Sequence, residues 1–290
     1  MVPVMDIDAC TKFFFLLGNP VRHSLSPLLY NTAFRQLELN WVYLAAPVLP
    51  AAVGAAVNGL RALDAAGGNV ASPHKEAVVP FLDELSPEAA LISSVKTIVN
   101  RDGKLCGYST DGPGFFQHLE EKGCTGFLDD PLLIVGIGGA ARAIAYTLAR
   151  RGAAELLIAN RTAARAREYA VQITKQTPLH SAAAVSLELE ALRKALQRCR
   201  IVIYSLPLDS PVFMELLADR SFSCAGRVLF DLRYHPAETE AMRLFRERGG
   251  KSFNGKGMLF WQAVLALEQF LGQDVPAETV AEMRRAYGSF

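Results

Sequence analysis

The segment from Leu132 to Ala143 constrains the fold most, because it combines a strand, a tight turn and the start of a helix. Four apolar residues, Leu132-Leu133-Ile134-Val135, run into Gly136-Ile137-Gly138-Gly139-Ala140-Ala141. In such a turn one glycine allows the bend, another lets backbone N–H groups approach a phosphate, and a third small residue packs against the strand. An anion would then lie at the positive N-terminus of the helix. The segment predicts a dinucleotide site with contacts from Gly136, Gly138, Gly139 and Ala140.

The residues after the next predicted strand indicate which dinucleotide fits. A site for NAD typically has Asp or Glu about 20 residues further on, to accept a hydrogen bond from the ribose 2′-OH. This chain instead has Asn160-Arg161-Thr162, followed by Arg165. Two guanidinium groups suit a 2′-phosphate, which favours NADP over NAD. The alternatives are a glycine turn without a ligand and solvated arginines at the start of a helix.

Strand-like runs alternate with helical segments along the whole chain, which predicts an α/β fold with mainly parallel sheets. A length of 290 residues corresponds to about two domains. The 30 basic and 29 acidic residues leave a net charge of +1, which disfavours nucleic acid as a partner. The only early apolar run, Phe13 to Leu17, is too short to span a membrane. We therefore expect a cytoplasmic protein.

The five cysteines are scattered without a Cys-x-x-Cys pair. This spacing disfavours both a disulfide framework and a zinc site, so we expect no metal.

Three polar motifs in the first half are candidates for a substrate site. They are Ser24-Leu25-Ser26-Pro27, Gly68-Asn69-Val70-Ala71-Ser72-Pro73-His74-Lys75, and Thr110-Asp111-Gly112. Each also has a purely structural interpretation: the serines and Asp111 as helix N-caps, and Lys75 as a surface charge. Spacing alone does not establish whether Lys75 and Asp111 meet.

Seven motifs in order make the sequence resemble the shikimate dehydrogenase family over essentially its whole length. They are Gly18-Asn19-Pro20…His23-Ser24-Leu25-Ser26-Pro27, Asn69-Val70…Pro73-His74-Lys75, Thr110-Asp111-Gly112-Pro113-Gly114-Phe115, Gly136…Gly139-Ala140, Asn160-Arg161-Thr162, Asp231-Leu232-Arg233-Tyr234-His235-Pro236, and Gly255-Lys256-Gly257-Met258-Leu259…Gln262.

The resemblance implies two α/β domains with a cleft between them. Residues 1–110 would form a substrate domain, residues 111–253 a Rossmann NADP domain, and residues 254–290 helices that pack back on the substrate domain. It further implies reversible reduction of 3-dehydroshikimate to shikimate, a step of aromatic amino acid biosynthesis through chorismate. The expected partner is therefore a small cyclic hydroxy acid, bound by a monomer or homodimer.

The resemblance also implies roles for individual residues. Lys75 would be the acid/base group and Asp111 its partner. A lysine ammonium both stabilises charge on a carbonyl oxygen and supplies the proton. The substrate carboxylate would contact Ser24, Ser26 and Tyr234, and its hydroxyl groups would contact Asn69 and Gln262.

Two positions depart from the family pattern within the expected substrate pocket. Ala71 replaces the threonine of Asn-Val-Thr, and Lys96 replaces the asparagine of Gly-Ala-Val-Asn-Thr. A smaller change places Ser109 where asparagine is usual. Lys96 could pair with Asp111, attract an extra anionic group, or make Lys75 easier to deprotonate. These departures suggest altered substrate use, with quinate or an amino analogue as alternatives, or a weakly active ligand-binding or regulatory relative.

Overall fold

The computed structural model describes residues 7–288. The chain divides into two compact units: the first comprises residues 7–114 and 260–288, and the second residues 115–259. Each unit contains one six-stranded sheet with helices. The predicted two-domain α/β class is therefore confirmed.

The first half of the chain alternates strands with mostly short helices. Its elements are β1 (Lys12–Gly18), α1 (Ser26–Gln36), β2 (Trp41–Pro47), α2 (Val53–Ala62), β3 (Gly67–Val70), β4 (Glu84–Leu85), α3 (Pro87–Ile92), β5 (Thr97–Arg101), β6 (Lys104–Tyr108) and α4 (Asp111–Glu121). Short 3₁₀ helices occupy Pro50–Ala52 and Val79–Phe81.

The second half is more regular. Its elements are β7 (Leu132–Val135), α5 (Gly139–Arg150), β8 (Glu155–Ala159), α6 (Ala163–Gln176), β9 (Ser181–Val185), α7 (Leu189–Arg198), β10 (Ile201–Tyr204), α8 (Pro211–Ala218), β11 (Val228–Asp231), α9 (Glu240–Glu247), β12 (Lys251–Phe253), α10 (Lys256–Leu271) and α11 (Ala277–Tyr287). A 3₁₀ helix at Thr125–Phe127 precedes β7. Within residues 7–288, no helix is long and apolar enough to cross a membrane.

The first sheet has the order β2-β1-β3-β5-β6-β4. Strands β1, β2 and β3 are parallel, whereas β5 pairs antiparallel with both β3 and β6. The β5–β6 hairpin turns at Asp102 and Gly103, which both have positive φ, as the Asp-Gly pair predicts. One side of the sheet packs on α2, and an aromatic cluster of Phe14, Phe34 and Phe270 lies where α1 and α10 pack.

The second sheet is wholly parallel, in the order β12-β11-β10-β7-β8-β9. Alternate residues of its central strands point into two separate cores, so helices cover both faces. Numbered within this unit, the strand order is 3-2-1-4-5-6, the order of dinucleotide-binding sheets. The strand order changes direction between β7 and β10. Ligands of such sheets bind beside the carboxyl ends of the strands at this position.

One predicted helix is wrong. The apolar spacing of residues 75–85 predicts a helix, but residues 72–78 form turns and only Val79–Phe81 is helical, as a 3₁₀ turn. Pro80 explains the difference, because it cannot donate a backbone hydrogen bond and disfavours α-helix at the residue before it.

Candidate active site

Lys75 and Asp111 meet at one edge of the first sheet. Lys75 lies in the turns after β3, and Asp111 begins α4 just beyond β6. The Nζ atom of Lys75 donates a hydrogen bond to Oδ2 of Asp111. Their side chains are only 16% and 6% exposed. The structure therefore joins, as a largely buried ion pair, two residues whose spacing in the sequence could not connect them.

The buried side chain of His74 helps to fix the backbone of Lys75. The Nε2 atom of His74 lies 2.6 Å from the carbonyl oxygen of Val48. Because a carbonyl oxygen only accepts, Nε2 is the nitrogen that donates. On the other side, the N–H of Val95 donates to the carbonyl oxygen of Lys75 at 2.9 Å. The motifs that contain His74 assign it no role, because its partner lies 26 residues away in the sequence.

Three charged side chains act on one another at this site. Burial alone raises the pKa of Asp111, but the charges of Lys75 and Lys96 and the hydrogen bond from Lys75 hold that pKa below its ordinary value. Burial, together with the charge of Lys75, lowers the pKa of Lys96 to about 8, against the opposing effect of Asp111. The site therefore combines two basic side chains, Lys75 and Lys96, with the acidic side chain of Asp111.

Asn69 belongs to a chain of buried hydrogen bonds that runs beside this ion pair. The hydroxyl of Tyr43 donates to Oδ1 of Asn69 at 2.7 Å, and Nδ2 of Asn69 donates to Oγ1 of Thr97 at 3.0 Å. The hydroxyls of Thr97 and Thr110 are 3.2 Å apart. The Nδ2 atom also lies 3.4 Å from the carbonyl oxygen of Lys96. Asn69 is therefore held rigidly, and only Oδ1 has a lone pair left for another donor.

Tyr30 lies beside this chain but does not join it. Its ring stacks on Tyr43 with the ring centres 4.4 Å apart. Its buried hydroxyl has no hydrogen-bond partner among residues 7–288. The Asn69 side chain is near enough to influence it, but the two do not make a hydrogen bond of acceptable geometry. Burial raises the pKa of Tyr30 far above its ordinary value, so the hydroxyl stays protonated.

Ser24 and Ser26 lie together at the start of α1. Their Oγ atoms are 3.2 Å apart, and the N–H of Ser26 donates to Oγ of Ser24. Among the described residues, no side chain caps this helix. The N-cap interpretation of the two serines is therefore wrong, and both hydroxyls lie beside the first N–H groups of α1.

Gln262 and Ala71 also belong to the first unit. Gln262 is buried on α10, and a Cβ placed on Gly114 of α4 would lie 2.5 Å from its backbone nitrogen. Gly114 thus allows α10 to approach α4 closely behind Asp111. Ala71 continues β3, where its N–H donates to the carbonyl oxygen of Leu17 at 2.8 Å, and its methyl group provides no hydrogen bond.

The glycine turn of the second unit has the predicted strand–turn–helix form. Gly136 has φ +96°, which favours glycine, and a Cβ there would lie 2.8 Å from Leu206. A Cβ on Gly138 would meet nothing within 4 Å, so the space before α5 is open. No side chain of residues 7–288 caps that helix, and Ala141 is buried against the core. The free N–H groups at the start of α5 fit a pyrophosphate.

The arginine segment lies directly beside this turn. The N–H of Gly136 donates to the carbonyl oxygen of Ala159 at 2.7 Å, which places Asn160 next to the glycines. The Nδ2 atom of Asn160 donates to the carbonyl oxygen of Thr162 at 3.1 Å and shapes the turn into α6. Arg161 and Arg165 are exposed, and neither forms an ion pair within residues 7–288. These residues fit a 2′-phosphate, since residues 160–165 include no Asp or Glu that could bind a ribose hydroxyl.

Tyr234 lies in the second unit, in the loop after β11. Arg233 fixes this loop through bonds to buried Asp231 and to Asp209, each at 2.7 Å. Thr239 Oγ1 also donates to Asp231, at 2.7 Å. Tyr234 itself is half-buried, and burial raises the pKa of its hydroxyl. Sequence reasoning had not assigned a role to Arg233.

Comparison with known proteins identifies the family. Residues 16–98 match a family model described as the shikimate dehydrogenase substrate binding domain, and residues 119–237 match one described as shikimate / quinate 5-dehydrogenase. The NADP(+)-dependent shikimate dehydrogenase of Desulforamulus reducens is 39% identical over 276 residues, which cover 94% of each chain.

Solved structures agree with this match. The shikimate 5-dehydrogenase of Listeria monocytogenes, in complex with shikimate and NAD, superposes with a TM-score of 0.85 at 33% identity and covers 97% of this chain and 99% of its own. The Thermus thermophilus enzyme, with NADP(H) and shikimate, gives a TM-score of 0.79 at 32% identity, covering 95% and 99%. On these grounds, together with the motifs along its whole length, the chain belongs to the shikimate dehydrogenase family.

Proposed function

We propose that this protein is an NADP-dependent shikimate dehydrogenase, which reversibly reduces 3-dehydroshikimate to shikimate. The observation that carries the proposal is the buried ion pair of Lys75 and Asp111, in a chain whose relatives include NADP(+)-dependent shikimate dehydrogenases. Such a pair can hold a proton next to a carbonyl oxygen in a site largely shielded from water.

Lys75 would supply the proton, and Asp111 would orient the Lys75 ammonium. NADPH supplies a hydride to the carbonyl carbon when it is bound. Negative charge then develops on the carbonyl oxygen, where the Lys75 ammonium stabilises it and transfers a proton. Asp111 holds the ammonium in place through the hydrogen bond to Oδ2. In the oxidative direction the same lysine accepts the proton.

The remaining contacts would fix the ring. Ser24 and Ser26, whose hydroxyls lie together at the start of α1, suit the substrate carboxylate. From its motif alone, Tyr234 is proposed as a further contact of that carboxylate. Gln262 suits a ring hydroxyl. Asn69 would accept one hydrogen bond from a hydroxyl, because both its N–H groups are already directed at protein oxygens.

The second unit would bind the cofactor. Gly136, Gly138, Gly139 and Ala140 would hold the pyrophosphate at the start of α5, and Asn160, Arg161, Thr162 and Arg165 would hold the 2′-phosphate. In this scheme residues 111–253 form the NADP domain, and residues 1–110 with 254–290 form the substrate domain. We further propose that the protein acts in the cytoplasm as a monomer or homodimer.

The test is a panel of shikimate and quinate, each with NADP and with NAD, followed by the absorbance of the reduced cofactor. We expect turnover of shikimate with a preference for NADP. Absence of shikimate turnover with either cofactor would refute the proposal, and a preference for NAD would refute the role of the arginines.

A second candidate is a dehydrogenase of a different cyclic hydroxy acid. It is favoured by Ala71 and Lys96, since one removes a hydroxyl and the other adds a charge. Higher kcat/KM for quinate than for shikimate would support this candidate. NADP binding without turnover of either acid would favour a binding or regulatory protein.

A further inference from the structure

Lys96 is held firmly in a place where a lysine is unusual. Its N–H donates to the carbonyl oxygen of Tyr108, and its own carbonyl oxygen accepts from the N–H of Val70, both at 2.8 Å. These bonds fix the residue between the ends of β3 and β6. The residue is only 6% exposed. Lysines are almost never buried to this extent unless they are paired.

Within the described part of the chain, the ammonium of Lys96 nevertheless has no partner. Among residues 7–288, no side chain forms a hydrogen bond or an ion pair with it. The carboxylate of Asp111, whose charge acts on Lys96, is hydrogen-bonded to Lys75. Two lysines therefore lie at a site where Asp111 bonds only to Lys75, and Lys96 is left unpaired among the residues proposed to act on the reacting carbonyl.

A buried charge without a partner is costly, and an oxygen of a ligand would compensate that cost. An ammonium only donates hydrogen bonds, whereas an asparagine amide both donates and accepts. The substituent that meets Lys96 must therefore provide a lone pair, and a protonated amine there would be repelled. The side chain of Ala71 has no polar atom that could accept a hydrogen bond from Lys96 in place of the ligand.

We propose that Lys96 is a specificity-determining residue, which selects ring acids with an oxygen acceptor next to the reacting carbon and excludes those with an amino group there. The inference rests on the proposed function, because it takes Lys75 as the group at the reacting oxygen. Rejection by like charge is a common source of specificity. Since the pKa of Lys96 is about 8, most of the lysine is charged at pH 7.

The experiment compares kcat/KM for shikimate with that for its analogue in which the neighbouring hydroxyl is an amine, both with NADP at pH 7. We expect the wild type to prefer shikimate by about 100-fold or more, as expected when one charge contact is replaced by repulsion. In Lys96→Asn the preference should fall at least tenfold, mainly because the amino analogue reacts faster.

Lys96→Met provides a second variant that lacks the charge, and it should also lose the preference. Lys104→Asn, on the exposed part of β6, is the matched control and should keep it. An unchanged preference in both Lys96 variants would overturn the inference while leaving the proposed function intact. Absence of wild-type turnover with shikimate would instead refute the proposed function itself.

Discussion

The two proposed sites of this protein are built from different parts of the chain. Around Lys75 and Asp111, side chains from several elements bond to one another in a largely buried network. At the dinucleotide site, the glycine turn offers backbone N–H groups, and the two arginines are exposed. A buried network depends on each member, whereas exposed contacts contribute more independently. Substitutions in the first site should therefore change chemistry and stability, and those in the second mainly affinity.

The sharpest test of this contrast is Lys75→Ala. Loss of the proton donor and its charge should lower kcat by about 1,000-fold, within the range for general acid–base groups. NADP affinity should stay within about twofold, because that affinity depends on the second unit. Steady-state kinetics and cofactor titration measure the two effects. A fall of less than tenfold in kcat, or a parallel loss of NADP binding, would contradict the assignment.

Lys96→Met tests whether burial of charge in the first site costs stability. The folded pKa of about 8 is below the ordinary 10.5, so the unfolded chain binds more protons between these values. The penalty is fully present below pH 8 and disappears as the pH rises past 10.5. We expect the variant to be more stable by about 1–3 kcal/mol at pH 7, since each pKa unit is worth about 1.4 kcal/mol.

Urea unfolding at pH 7 and pH 10 measures this difference. The gain of Lys96→Met should shrink at the higher pH, and the exposed control Lys104→Met should show no gain at either. A variant that is less stable than the wild type at pH 7 would mean that an unrecognised partner neutralises Lys96.

Arg161→Ala tests the proposed dinucleotide site. Loss of a charge-assisted contact with a 2′-phosphate, worth about 1.5–3 kcal/mol, should raise KM for NADP by roughly 10- to 100-fold. KM for NAD and the unfolding midpoint should not change, because the side chain is exposed and unpaired among residues 7–288. Arg167→Ala, exposed on α6, is the control. Equal effects on NADP and NAD would contradict a phosphate contact.

The contrast also explains what the sequence could predict. The glycine turn and the Asp102-Gly103 hairpin follow local rules, and both were predicted from adjacent residues. The edge strands β9 and β12 were not, because the burial of their residues alternates weakly and β12 has only three residues. Lys75 and Asp111 were identified through family motifs, but their contact requires the folded sheet.

The hydrogen-bonded chain in the first unit lay beyond sequence reasoning altogether. Tyr43 and Asn69 are separated by 26 residues, and Asn69 and Thr97 by 28. No periodicity of hydrophobic residues encodes such a contact, because it depends on which strands pair and in what register. Asn69 on β3 lies directly opposite Thr97 on β5, and this register brings the two side chains together.

The stacked tyrosines offer the finest test of the buried network. Tyr43→Phe leaves Oδ1 of Asn69 buried without its donor, which should cost about 1–3 kcal/mol of unfolding free energy. Tyr30→Phe removes a hydroxyl that has no hydrogen bond within residues 7–288, so stability should be unchanged or slightly higher. The two variants lose the same atom from stacked rings, so each serves as the other's control.

Urea unfolding of both variants, with KM for shikimate, separates the roles of the two hydroxyls. If Asn69 contacts the substrate, Tyr43→Phe should also raise KM, because the amide loses a bond that fixes its orientation. Tyr30→Phe should leave KM unchanged. Equal destabilisation by both substitutions would show that Tyr30 belongs to the hydrogen-bonded chain. The side chains of this site would then depend on one another more strongly than their hydrogen bonds indicate.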